Sequence, residues 1–218
     1  QYAAEGALKR LRTDYIDLYQ LHNPTLDELR RDDLHEAMDR LQEAGKIRFW
    51  GVSVSTPEEG MEVVRNGWGY ALQVLYNAIN QAPATELFPL AREKGYGIIA
   101  PVPLASGLLS GKFRPDTTFA TDEVRQNFLT PKPLEEVIPR VDEVKAIIGG
   151  TARALAEGAL RFVLANDAVS TTIPGMRNVR QVEMNVAADE VRIPQDVVDK
   201  LRARLGDYNF YQRHGIKI

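Results

Sequence analysis

Five short runs rich in apolar and β-branched residues, at 15–22, 47–54, 71–79, 97–104 and 169–173, alternate with stretches of helical periodicity. Few folds accept that order, because parallel strands need long crossovers and those crossovers are right-handed. Two architectures meet it: an open doubly wound sheet or part of a (β/α)8 barrel. No Gly-x-Gly-x-x-Gly follows any of the runs, which counts against a dinucleotide-binding open sheet. A barrel has the opposite difficulty, since only five strands are counted in 218 residues where eight typically take about 250.

The intervening segments carry start and stop signals. Residues 1–11 read as a helix already under way, with no initiating Met. Asp33 and Glu36 suggest a capping box for a helix whose apolar residues Leu34, Ala37, Met38 and Leu41 recur until Gly45. Thr56, Pro57 and Glu58-Glu59 supply an N-cap, a first-turn proline and an acidic first turn for the next. Further helices are predicted at 85–94, stopped by Gly95, and at 134–148, 152–165, 179–188 and 195–205, with Pro194 at the first position of the last. Residues 105–133 lack sustained periodicity and are expected to form a long, mobile loop over a site.

Composition narrows the partners. At 44% hydrophobic and 26% charged, with a formal net charge of -3, the chain suits a folded domain and offers no surface built for nucleic acid or anionic membrane. With no cysteine and three histidines, thiol chemistry is excluded and a multi-histidine metal site is not expected. No apolar run is long enough to cross a bilayer and no signal pattern opens the chain, so a cytoplasmic location is expected.

The run Tyr15-Ile-Asp-Leu-Tyr-Gln-Leu-His22 ends in an imidazole followed by Asn23-Pro24. Strand ends of this polarity carry the chemistry of alternating α/β folds, so His22 is a candidate hydrogen-bond donor or proton-handling group, against an ordinary structural histidine. His35 and His214 are read as surface residues. Ser53 follows Gly51-Val52, and Gln73 and Asn77 interrupt an apolar run, where a buried amide needs either a ligand or a neighbouring backbone group. The segment Ala105-Ser-Gly-Leu-Leu-Ser-Gly-Lys112 suits a pyrophosphate but is one residue short of a P-loop, and Phe113 stands where a magnesium-binding hydroxyl would be needed. After the fifth run, Pro174-Gly175 leads into a helix start with Arg177 and Arg180 at hand, an arrangement suited to an anion.

Taken in order, Asp14-Tyr-Ile-Asp-Leu-Tyr-Gln-Leu-His22, Ala44-Gly-Lys-Ile-Arg-Phe-Trp-Gly-Val-Ser53, Gln73-Val-Leu-Tyr-Asn77, Pro103-Leu-Ala-Ser-Gly-Leu-Leu-Ser-Gly-Lys112 and Ile173-Pro-Gly175 with Gln181 and Asn185 resemble the aldo-keto reductase superfamily. The nearest likeness is to its bacterial aryl-alcohol-dehydrogenase-like and potassium-channel β-subunit-like branch. The resemblance implies a (β/α)8 barrel, of which residues 1–218 would be a single domain incomplete at its N-terminus and holding about strands four to eight. It also implies hydride transfer from NADP(H), or NAD(H), to an aldehyde or ketone. Of the family's Asp, Tyr, Lys and His set only the histidine is present, as His22, so the chain by itself is expected to be inactive.

By the same resemblance, Ser53 and Gln73 would meet the nicotinamide carboxamide. Leu104, Ser106 and Lys112 would lie along the pyrophosphate and adjoining ribose, and Gly175, Arg177, Gln181 and Asn185 around the adenosine end, with Arg177 the candidate for a 2′-phosphate. Two positions depart from the family pattern: Val54 replaces an Asn or Arg beside the serine, and Pro101 stands where many members stack an aromatic ring on the nicotinamide. The expected partner is a small carbonyl compound, with no nucleic acid, membrane or metal, and a homo-oligomer is compatible with the sequence. The alternative is a nicotinamide-binding sensor or regulatory subunit with little turnover.

Overall fold

Alternation of strand and helix is what the computed structural model shows, over the described residues 2–216. The chain divides into two compact units. One comprises the residues up to Val74 together with Leu87–Ile98; the other comprises Leu75–Glu86 and the residues from Ile99 onward.

In the first unit, helix α1 (Tyr2–Leu11) buries Ala4 and Leu8, and strand β1 (Ile16–His22) follows. A one-turn helix α2 (Leu26–Leu29) and helix α3 (Asp32–Glu43) lead to β2 (Ile47–Ser53), and α4 (Pro57–Asn66) leads to β3 (Ala71–Gln73). The three strands pair in parallel, in the order β1-β2-β3. Period-two alternation sends Trp50 and Val52 of β2 into the packed side, where Trp50 faces the ring of His35 on α3 at 5.8 Å. His35 also lies 6.0 Å from Trp68, and its Nε2 lies 2.7 Å from Leu29 O, so it is a half-buried packing residue and not the surface residue expected.

Helix α4 starts as its sequence predicts: Thr56 and Glu59 form a complete capping box, Pro57 opens the first turn, and Gly67 ends the helix at φ 71°. The box expected at Asp33 and Glu36 is absent. Arg31 is the N-cap of α3, so Asp33 falls inside the first turn and pairs with the Arg31 guanidinium at 2.6 Å. The capping box lies one helix earlier, at Thr25 and Glu28, where the chain turns back after Pro24. Helix α5 (Leu87–Glu93) then packs beside α4, where Gly60 gives it room: a Cβ there would sit 2.7 Å from Leu87 Cδ2. Tyr70, just before β3, accepts a backbone bond from Gly97 at the start of β4 (Gly97–Pro101).

Strand β3 is shorter than the expected 71–79. Asn77 Oδ1 accepts from Ile79 N–H at 3.1 Å and Asn77 bridges Asn80, so the asparagine turns the chain out of the ladder. Residues 75–86 belong to the second unit, where Asn77 Nδ2 donates to Val102 O at 3.1 Å.

That second unit holds the last residues of β4, β5 (Val169–Ile173) and helices α6 (Pro131–Ile148), α7 (Ala152–Leu164), α8 (Val179–Ala187), α9 (Gln195–Leu205) and α10 (Phe210–Arg213). Thr172 Oγ1 on β5 donates to Ala100 O on β4 at 2.7 Å. Its core joins Leu134, Val137 and Val144 of α6 to Leu155, Ala159 and Phe162 of α7, and Phe162 stacks on Tyr76 at 5.6 Å. Gly158 allows that packing, since a Cβ there would lie 2.3 Å from Ile148 Cγ2. Residues 105–133 are less irregular than expected: they hold 3₁₀ segments at Ala105–Ser110 and Val124–Asn127, and Arg125 packs on Phe113 and Phe119 at 5.4 and 5.1 Å. Pro194 caps α9 with an extended ψ of 140° and does not occupy its first turn, and α10 adds a helix that the sequence pattern missed. His214, next to α10, also departs from the surface reading: its ring centroid lies 5.0 Å from that of Phe210 and its side chain is mostly buried.

Candidate functional site

His22, Ser53 and Gln73 are the last residues of β1, β2 and β3, and the ladder sets them side by side: His22 pairs with Ser53, and Ser53 with Gln73. Identical phase in three parallel strands puts all three side chains on one face, in one row at the carboxyl edge. The row is graded in exposure, with Ser53 buried, Gln73 half-buried and His22 exposed. One level below, the partners are Gln20, Gly51 and Ala71. Gly51 has no side chain, and Gln20 Nε2 reaches diagonally past it to donate to Gln73 Oε1 at 3.2 Å. The partner that the strand amide needed is therefore neither a ligand nor a backbone group but a second amide.

Two consequences bear on chemistry. Gln20 Oε1 is buried with no hydrogen-bond partner among the described residues, an acceptor held ready for an N–H donor. Ser53 Oγ donates to Asn23 Oδ1 at 2.9 Å, while Asn23 N–H donates to Ser53 O at 3.1 Å. With its proton committed, the Ser53 hydroxyl presents acceptor lone pairs. Asn23 holds this position with φ 47°, a left-handed conformation that asparagine tolerates better than most residues.

In the second unit, the segment after β4 runs through left-handed backbone at Val102, Ala105, Ser106 and Gly107, with φ 53°, 48°, 57° and 97°. Leu104 precedes the 3₁₀ segment and is half-buried; Gly111 ends the segment at φ 69°, and Lys112 projects into solvent. Ser106 Oγ lies 2.8 Å from Tyr211 Oη.

The segment after β5 gathers four of the predicted residues into one hydrogen-bonded turn. Asn178 caps α8 by accepting from Gln181 N–H at 3.0 Å. Gln181 Oε1 accepts from Arg177 N–H at 2.6 Å, and Asn185 Nδ2 donates to Gly175 O at 3.3 Å. Asn185 is buried and its Oδ1 has no partner among the described residues. The Arg177 side chain is exposed, and a Cβ at Gly175 would meet nothing within 4 Å.

The predicted residues thus fall into three groups: the row of the first unit, the turn around Gly175 in the second, and the segment 104–112, also in the second. Sequence reading missed Gln20, Asn23, Asn178 and Tyr211. Gln20 had a signal in its place two residues before His22, and Asn178 in its place before a helix; Tyr211 had none. Among the described residues no three acidic or histidine side chains cluster to hold a metal, and no helix is long and apolar enough to cross a membrane. A groove beside α6 and α9, lined by Glu143, Ala146, Ile147, Lys200, Ala203 and Arg204, includes none of the site residues.

Residues 2–205 match the aldo/keto reductase family profile. The chain belongs to that family. An uncharacterized oxidoreductase of Bacillus subtilis, YqkF, is 28% identical over 213 residues, which cover 97% of this chain and 67% of the relative. A probable voltage-gated potassium channel subunit beta of Oryza sativa is 28% identical over 216 residues, covering 91% of this chain and 64% of that one. Among solved structures, the holo form of aldo-keto reductase AKR11C1 from Bacillus halodurans is similar with a TM-score of 0.73 and 29% identity, over 93% of this chain and 65% of its own. The chain therefore spans about two thirds of the length of these aldo/keto reductase relatives. The fold is α/β, a parallel sheet with alternating helices whose solved neighbours are the family's (β/α)8 barrels.

Proposed function

We propose that the intact protein is an NADP(H)-dependent aldo-keto reductase, with NAD(H) as the alternative cofactor, which reduces a small aldehyde or ketone to an alcohol in the cytoplasm. The ladder register of His22, Ser53 and Gln73 is the observation that carries this reading. When bound, the reduced nicotinamide supplies the hydride. His22, exposed at the end of the row, donates a ring N–H to the carbonyl oxygen, orienting it and stabilising the negative charge that develops there, and the proton that completes the alcohol is assigned to the tyrosine of the family's Asp, Tyr, Lys and His set. Ser53 accepts from the carboxamide N–H, and the Gln73 amide, clasped by Gln20, holds its other edge. The unpartnered Gln20 Oε1 supports a ligand that brings an amide donor to this edge.

In the second unit, the left-handed turn with Leu104, Ser106 and Lys112 is assigned to the pyrophosphate and its ribose. Gly175, Gln181 and Asn185 are assigned to the adenine nucleoside, whose exocyclic amine suits the orphaned Asn185 Oδ1. Arg177, its guanidinium exposed beside that turn, is assigned to a 2′-phosphate.

The channel-subunit likeness supports a second reading, a nicotinamide-binding regulatory protein with little turnover. Titration of the full-length protein with NADPH and NADH, followed by assays of nicotinamide oxidation over a panel of aldehydes and ketones, separates the two. The enzyme reading expects His22→Ala to lower turnover about 100-fold or more, with cofactor affinity unchanged within a small factor. Tight cofactor binding without turnover on any carbonyl would favour the regulatory reading, and binding of neither cofactor would overturn both.

A further inference from the structure

Tyr211 lies beyond the family-matched residues 2–205, yet it reaches the turn assigned to the pyrophosphate. Its segment is fastened to the turn after β3. Asn209 Oδ1 accepts from Gln81 N–H at 3.0 Å and Ala82 N–H at 2.9 Å, and Phe210 N–H donates to Ile79 O at 3.0 Å. These bonds, all within the second unit, deliver a tyrosine that is 2% exposed to Ser106, its hydroxyl 2.8 Å from the serine oxygen.

Direction within that bond decides what the serine can do. A buried phenol must spend its proton on an acceptor, and Ser106 Oγ is the acceptor in reach. If the phenol donates, the serine proton stays free for a further acceptor, whereas a serine donating to the phenol would have nothing left to offer. Burial pushes the Tyr211 ionisation far above that of a free phenol, against the opposing bond from Ser106, so the donor stays protonated. The serine itself occupies left-handed backbone between Ala105 and Gly107 and is only half-buried, with its hydroxyl anchored by Tyr211.

We propose that Tyr211 is a positioning residue for the cofactor: it donates to Ser106 Oγ and thereby leaves the Ser106 proton for an anionic phosphate oxygen. This rests on the assignment of Ser106 to the pyrophosphate. The two hydroxyls form a relay in which each bond polarises the next, ending on the ligand. The C-terminal helix α10 is thus part of the nucleotide site although it contributes no atom that touches the ligand.

Direct titration of the full-length protein with NADPH tests the relay in four forms: wild type, Tyr211→Phe, Ser106→Ala and the double variant. Phenylalanine keeps the buried ring and its edge-on contact with Phe210 at 5.2 Å, so the variant probes the hydroxyl alone. Tyr211→Phe is expected to weaken NADPH about three- to tenfold, Ser106→Ala at least as much, and the double variant no more than Ser106→Ala. The cofactor KM should rise in Tyr211→Phe while kcat at saturating NADPH holds. Wild-type affinity in Tyr211→Phe beside a weakened Ser106→Ala would overturn the relay and spare the pyrophosphate assignment. Wild-type affinity in Ser106→Ala would overturn both. Additive losses in the double variant, or a fall in kcat matching a fall in the denaturation midpoint, would make Tyr211 a packing residue only.

Discussion

The row at the ends of β1 to β3 and the turn after β5 solve the same problem, fixing polar side chains at the end of a strand, by different means. In the row, backbone pairing across three strands sets the phase of every side chain, and the side chains themselves need few local bonds. In the turn, the backbone leaves the ladder after Ile173, and side chains at 178, 181 and 185 bond back to it over ten residues. Ladder-set groups are stiff because moving one means breaking pairing on both sides. Groups set by local side-chain bonds can rearrange at the cost of one or two of those bonds.

The most damaging way to break this contrast is to remove the gap in the ladder. Gly51→Val would place a Cβ 2.6 Å from Ala71 O, against backbone and not against a movable side chain. Overpacking there is expected to destabilise the fold by about 3 kcal/mol, read as a lower midpoint in urea unfolding, and to abolish the Gln20–Gln73 bond. An unchanged midpoint would mean the register tolerates sliding and the row is not stiff. Arg177→Ala sharpens the other side of the comparison. It should weaken NADPH about tenfold with NADH affinity unchanged and stability hardly moved, since the guanidinium is exposed; equal losses for both cofactors would refute recognition of a 2′-phosphate.

The smallest effect concerns alkaline pH and involves one phenol in each unit. Burial pushes Tyr96 in the first and Tyr208 in the second up to about 12, and Glu136 adds to the rise at Tyr208 against the nearby Arg213 and Arg140. The folded chain therefore keeps each proton longer than the unfolded chain, whose phenols ionise near pH ~10. Stability from this source is whole below that pH and is lost as pH rises to about 12. Tyr96→Phe and Tyr208→Phe should each flatten part of the decline in a pH series of denaturant midpoints, and only slightly, because both rings remain partly exposed to solvent.

What the sequence made legible follows the same division. The end of β1 was readable because alternation and a following proline mark it, so His22 fell at the strand end, while β2 stops at Ser53, one residue short of the expected Val54. The end of β3 was misjudged by six residues because Val74 to Ile79 is as apolar as a strand, and it is the bond that Asn77 Oδ1 accepts from Ile79 N–H, with the Asn77–Asn80 bridge, that turns it. His35 looked like a surface histidine at a helix start because nothing in its neighbours announces the two tryptophans that enclose it from distant positions. The turn at 175–185 was legible in outline, since a proline-glycine pair before a helix is a local signal. The bond between Ser106 and Tyr211 was not, because 105 residues separate its partners and no periodicity links them.

The amide clasp from Gln20 to Gln73 has a mechanical meaning. Strands β1 and β3 are not neighbours, and each is paired in register with β2. A direct tie across the middle strand closes the three into a loop of constraints, so that a slip of β1 by one residue would face Gln20 the other way and open the clasp. Because the same strand carries His22 two residues further on, the clasp works as a detent: whatever holds Gln20 in place also indexes the imidazole.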